Sequence, residues 1–196
     1  MSRVARLLVV LAAFGLVSAW VLPLWTISLD APQYPEGLGL EIWVNTIKGQ
    51  KRNDLNSINN LNHYIGMKEI HPESIAELRY MPWIVTGLIL AGLGVAAAGR
   101  RKLLLAWIVL LGVAALAGLV DYFIWGYDYG HNLDMDRAIL KVPGMTYQPP
   151  LIGSKQLLNF TAHSWPGAAG WFAVVAVVLA TVAYLGDRRA WFARRA

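Results

Sequence analysis

Four stretches of almost unbroken apolar residues, at about 7–29, 80–99, 103–125 and 167–186, divide the chain, and two long polar connections lie between them at about 30–79 and 126–166. Each apolar run reaches the roughly 20 residues that a helix needs to cross a bilayer core of about 30 Å. The pattern predicts an all-α membrane protein, a single unit of four transmembrane helices whose two polar outer loops pack into a small periplasmic cap. Only residues 99–102 separate the second and third runs, so these should form a tight antiparallel hairpin. Gly87, Ala91, Gly94 and Ala98 in the second run, with Ala114 and Gly118 in the third, have the small-residue spacing that lets helices approach closely. Pro23 predicts a kink near the outer end of the first run. That run continues through Trp20-Val-Leu-Pro-Leu-Trp25, too far for the apolar core of a cleaved leader.

Inside the first connection, Leu55, Ile58, Leu61 and Ile65 recur at spacings of three, three and four, which predicts a short amphipathic helix. Asn53 or Asp54 is its expected N-cap and Gly66 its stop. Asn56, Asn59, Asn60 and Tyr64 are the expected partner-binding residues of its polar side, although asparagines there also serve simply to solvate a surface helix. Residues 38–44 alternate and predict a short extended segment. Pro72 and Glu73 mark the start of a helix leading into the second span, and a further short helix is expected near 134–141.

Composition agrees with a membrane protein: 57% of residues are hydrophobic, 15% are charged and the mean hydropathy is +0.45. Charge adds the orientation. Arg3, Arg6, Arg100, Arg101, Lys102, Arg188, Arg189, Arg194 and Arg195 flank the spans on one side against Asp187 alone. That side carries about +8 and the opposite side about −3, so both termini are expected in the cytoplasm and both long loops in the periplasm of a bacterial inner membrane. The net charge of +5 is thus a matter of topology and implies no nucleic-acid partner. With no cysteine, disulfides and thiolate metal centres are excluded.

All four histidines and every methionine after the first lie in the outer loops or at their edges. His63 with Met67, and His131 with Met135, stand four residues apart, the spacing at which helical side chains are neighbours. Imidazole and thioether together suit copper, and thioether favours Cu(I). These four, with His71 and Met145, are the candidate metal ligands and Cu(I) the candidate cofactor; the competing reading is that they pack and hydrogen-bond within the cap. The chain has no phosphate-binding glycine loop, no His-Glu-x-x-His and no nucleophile elbow, so no enzymatic activity is expected.

Leu61-Asn-His-Tyr-Ile-Gly-Met67 and Tyr147-Gln-Pro-Pro-Leu-Ile-Gly153, within a four-span chain, resemble the NosB-like small membrane proteins of clade II nitrous oxide reductase systems. The resemblance implies an accessory protein to a periplasmic copper enzyme, acting in maturation, membrane anchoring or electron delivery. The alternative is a structural subunit of a respiratory membrane complex, bound to other membrane subunits and holding no metal of its own.

Overall fold

The structure, a computed structural model, describes residues 1–193 and side chains as far as Asp187. Arg194 and Arg195 of the charge balance lie outside the described residues, as do the side chains of Arg188 and Arg189. The helices are α1 (Arg3–Val17), α2 (Asp54–Ile65), α3 (Glu77–Ala98), α4 (Arg101–His131) and α5 (Ala168–Ala193). The strands are β1 (Trp25–Ala31), β2 (Tyr34–Ile42), β3 (Ile47–Gly49), β4 (Gly153–Leu157) and β5 (Phe160–Pro166). Helices α1, with the 3-10 turn Ser18–Trp20 that extends it, α3, α4 and α5 are long and apolar enough to cross a membrane.

The all-α expectation is overturned by the strands, which form one antiparallel sheet in the order β3-β2-β1-β5-β4. Both loops build it: β1, β2 and β3 come from the first, and the β4–β5 hairpin of the second pairs along the free side of β1. The first apolar run is also shorter as a helix than its composition suggests. Helix α1 ends at Val17, Pro23 lies beyond the 3-10 turn as a break rather than a kink, and residues 25–31 belong to the sheet. Ile27 and Ala31 face inward while Ser28 and Asp30 face out, the period-2 alternation of a half-buried strand.

Of the remaining expectations, residues 38–44 fall mostly in β2. The entry to α3 is broken, because Ile75 is extended between the 3-10 turn Pro72–Ser74 and Glu77. Residues 134–141 make turns instead of a helix: the Asp134 carboxylate accepts from the backbone N–H groups of Asp136 and Arg137 at 3.2 Å.

In the bundle, α1 packs between α3 and α5 through Val9, Ala12 and Ala13, and Leu104 and Trp107 of α4 complete the core. At the end carrying the basic residues, the Met1 ammonium donates to Gly99 O at 2.7 Å, and Ser2 N–H donates to the Asp187 carboxylate at 2.7 Å. Trp107 packs against Gly92 and donates its indole N–H to Leu88 O at 2.9 Å. Gly87, Gly94, Gly112 and Gly118 are different, since a Cβ placed on any of them would meet no atom within 4 Å. Their small faces are therefore turned away from the other helices of this chain.

At about 1.5 Å per residue, the 31 residues of α4 extend about 46 Å, well beyond a 30 Å bilayer core. Its last turns enter the cap, where with α2 they cover the inner face of the sheet. Ser164 of β5, fully buried, fixes the junction. Its hydroxyl accepts from Trp25 Nε1–H at 2.8 Å, lies 2.8 Å from the Tyr122 hydroxyl of α4, and donates to Leu151 O at 3.1 Å.

Candidate functional site in the cap

The asparagine-rich helix is held at both ends and along its side by its own polar residues. At the start of α2, the buried Asp54 carboxylate accepts from Gly39 N–H of β2 at 2.9 Å and from Lys51 N–H at 3.1 Å. Asn59 takes up both halves of one peptide, donating to Ile70 O at 3.1 Å and accepting from Ile70 N–H at 2.8 Å. Asn62 donates to Lys68 O at 3.1 Å. Two of the helix's asparagines thus fasten the chain that returns after it, which leaves Asn56 and Asn60 exposed for any outside partner. Tyr64 is also exposed at its ring, and its carbonyl accepts from the N–H groups of Ile139 and Leu140.

Gly66 ends α2 in the left-handed region at φ +78°, and Met67 N–H donates back to Asn62 O at 2.8 Å, closing a Schellman cap. His63 and Met67 consequently do not share a helical face: His63 is exposed on α2, and Met67 lines a cavity beneath the sheet. The other pair is divided in the same way, because α4 ends at His131. His131 stacks on Tyr127 with ring centroids 3.9 Å apart, its Nδ1 3.1 Å from Tyr127 O. His71 sits between two carboxylates, Nε2 3.3 Å from Glu69 and Nδ1 3.8 Å from Glu73. Met135 is exposed and Met145 half-buried.

Backbone bonds bring most of these segments to one corner of the cap. Asp134 N–H donates to Gly66 O at 2.7 Å, and Tyr147 N–H donates to Gly130 O at 2.9 Å. Met67, Met135 and His131 adjoin Gly66, Asp134 and Gly130 in sequence and Met145 lies two residues before Tyr147, with His71 set apart between its two acids. Among the described residues no three histidine, aspartate or glutamate side chains converge on a point where a metal ion would sit. A site at the corner would have to rely on thioethers. No family model matches the chain, and no curated protein matches it.

Two arrangements lie outside what the sequence pattern brought forward. On the outer face of the sheet, Ser154 Oγ is 2.6 Å from His163 Nδ1, and His163 Nε2 is 3.1 Å from the Asp30 carboxylate. The order of groups is that of a nucleophilic triad. The surroundings are not, since Asp30 is 71% exposed at its side chain and Ser154 is exposed as well, so water is not excluded and the charge on Asp30 is screened. These residues come from β4, β5 and β1, and only strand register, which pairs His163 with both Ser154 and Ser28, brings them together.

The second arrangement is a partly open cavity of about 70 Å³ between the inner face of the sheet, α2 and the last turns of α4. Leu40, Ile58, Ile65, Trp125, Gly126 and Tyr147 are among its walls. Tyr147 is 2% exposed, and burial pushes its hydroxyl pKa above the usual value, so it remains a proton donor. Among the described residues, that hydroxyl and Trp125 Nε1 are buried polar atoms without a hydrogen-bond partner.

Proposed function

We propose that this protein is a non-enzymatic accessory protein of the bacterial inner membrane whose periplasmic cap serves an exported copper enzyme, with nitrous oxide reductase the enzyme that the resemblance implies. The observation that carries the reading is the meeting, at the corner closed by the Gly66–Asp134 and Gly130–Tyr147 bonds, of the segments bearing Met67, His131, Met135 and Met145. Thioethers on segments that are not one rigid helix suit transient Cu(I) transfer, because soft ligands select the ion and loose placement releases it. The basic residues at the opposite ends of the spans support a periplasmic cap. In a competitive Cu(I) titration, wild-type protein is expected to bind about one ion, and Met67→Leu with Met135→Leu to weaken binding about tenfold, or 1.4 kcal/mol. Failure of the wild type to compete for copper overturns the reading.

One observation favours a second reading, that of a structural subunit in a respiratory membrane complex. Glycines of α3 and α4 expose small faces that no helix of this chain covers. Because the chain has no cysteine, Gly118→Cys provides a single thiol for cross-linking in native membranes. A one-to-one adduct with another membrane subunit is expected; labelling by small thiol reagents with no protein adduct discards the second reading.

A further inference from the structure

The end of the bundle opposite the cap carries five described side-chain cations, Arg3, Arg6, Arg100, Arg101 and Lys102, and none of them forms an ion pair with a described carboxylate. Asp187, the one acid there, accepts from Ser2 N–H, and no Asp or Glu follows it in the sequence. Orientation in a membrane asks only for positive charge on that side. It does not ask for the arrangement of Arg101. The guanidinium of Arg101, on α4, lies over the ring of Tyr184, on α5, with Cζ 4.4 Å from the ring centroid. Stacking holds a guanidinium in place while its terminal N–H groups stay available to an oxyanion. Arg101 Nε is buried without a partner, and the terminal nitrogens are open and likewise unpaired among the described residues. Arg6 of α1 lies against Gly99, in the turn that leads into Arg100 and Arg101, so cations from α1 and α4 gather near the start of α4.

We propose that this rim binds the phosphate of an anionic glycerophospholipid, with Arg101 as the residue that holds it and the seam between α4 and α5 as the seat of an acyl chain. From Arg101 toward the middle of α4, Leu105, Ile108 and Gly112 follow at spacings of four, three and four, so they share its face. Leu105 is exposed, Ile108 is half-buried, and a Cβ on Gly112 would meet nothing within 4 Å. Val182 and Leu185 are exposed beside Tyr184 on α5. An anion with an apolar tail fits both the cations and the seam, whereas a soluble phosphate fits the cations alone. Net charge narrows the choice further, because a zwitterionic head group brings its own ammonium into a cluster of unpaired cations and phosphatidylglycerol does not. The inference rests on the reading that the four apolar helices span a bilayer, and on neither copper nor a partner subunit.

The test titrates full-length protein in detergent with phosphatidylglycerol, with phosphatidylcholine of the same acyl chains and with glycerol phosphate, and counts bound molecules by native mass spectrometry. Phosphatidylglycerol is expected to bind about tenfold more tightly than phosphatidylcholine, and glycerol phosphate at equal concentration is expected not to displace it. Arg101→Lys keeps the charge, and with it the orientation, but loses the planar fork. It should weaken phosphatidylglycerol about tenfold and leave phosphatidylcholine unchanged. Arg3→Lys, at an exposed residue with no stacking partner, should change neither. Gly112→Leu, which fills the seam and leaves every cation in place, should lower phosphatidylglycerol binding severalfold. Equal affinity for the two lipids, or equal losses in Arg101→Lys and Arg3→Lys, overturns the proposal and leaves these charges to orientation alone. Displacement by glycerol phosphate overturns the lipid as the occupant. Release of the wild-type protein from native membranes by alkaline carbonate would instead refute the spanning helices on which the site rests.

Discussion

Replacing Ser164 with valine is expected to open the cap while the four spans stay folded. One hydroxyl has one hydrogen and two lone pairs, and all three are committed here: the hydrogen to Leu151 O, the lone pairs to Trp25 Nε1–H and the Tyr122 hydroxyl. Ser164 is fully buried, so valine leaves three polar groups in a place that water reaches poorly. Each orphaned group costs about 1–3 kcal/mol, which puts the loss at about 3–5 kcal/mol after partial relaxation. Those groups belong to β1, α4 and the loop before β4, so the loss should register as faster amide exchange across residues 25–31 and 160–166. Exchange in α1 and α5 should not change. Tyr122→Phe removes a single bond and should cost about 1 kcal/mol. Wild-type exchange rates in Ser164→Val would show that the hydroxyl is not what joins sheet to bundle.

Ser164 also illustrates what the sequence could convey. The four long apolar helices were legible because few environments other than a bilayer call for their length and composition, although the first run gives up residues 25–31 to the sheet. Helix α2 was legible because its four apolar residues keep the helical period and Gly66 ends it, as the φ of +78° requires. The sheet was not legible. Trp25–Ala31 alternates as a strand should, but it adjoins an apolar run and reads as the last turns of a span; Pro23 is the residue that separates the two. Gly153–Leu157 is short, polar and at the sheet edge, so it has no period of its own, and it becomes a strand because β5 pairs with it. For the candidate site, the residue types were visible and their geometry was not. Counting four residues from His63 to Met67 presumes a helix that Gly66 interrupts. Asn59 reads as a surface residue until Ile70 is seen folded back onto it. The cavity left only one trace in the sequence, a glycine at 126 within a helix.

Gly92 should be the least tolerant glycine of α3, and its sensitivity should depend on Trp107. A Cβ at this position would stand 2.5 Å from Trp107 Cζ2, a distance that packed atoms do not adopt, and 3.1 Å from Ala13 Cβ, a tight contact. The indole has little freedom to retreat, being 2% exposed with its N–H held by Leu88 O. In lipid an indole N–H that loses this carbonyl finds no water to replace it. Gly92→Ala is therefore expected to cost about 1–3 kcal/mol through overpacking, despite the gain of about 1 kcal/mol in helix propensity. Trp107→Leu alone should cost about 2–3 kcal/mol, from lost packing contacts more than from transfer, since lipid tails are as apolar as the core. Because leucine vacates the space that the new methyl group would enter, the double variant should be more stable than the two single losses added together, by about 1–2 kcal/mol. Reversible unfolding in mixed micelles measures all four proteins. Simple additivity would mean that the two side chains do not meet, and the close approach of α3 to α4 would then need another cause than the absence of a side chain at Gly92.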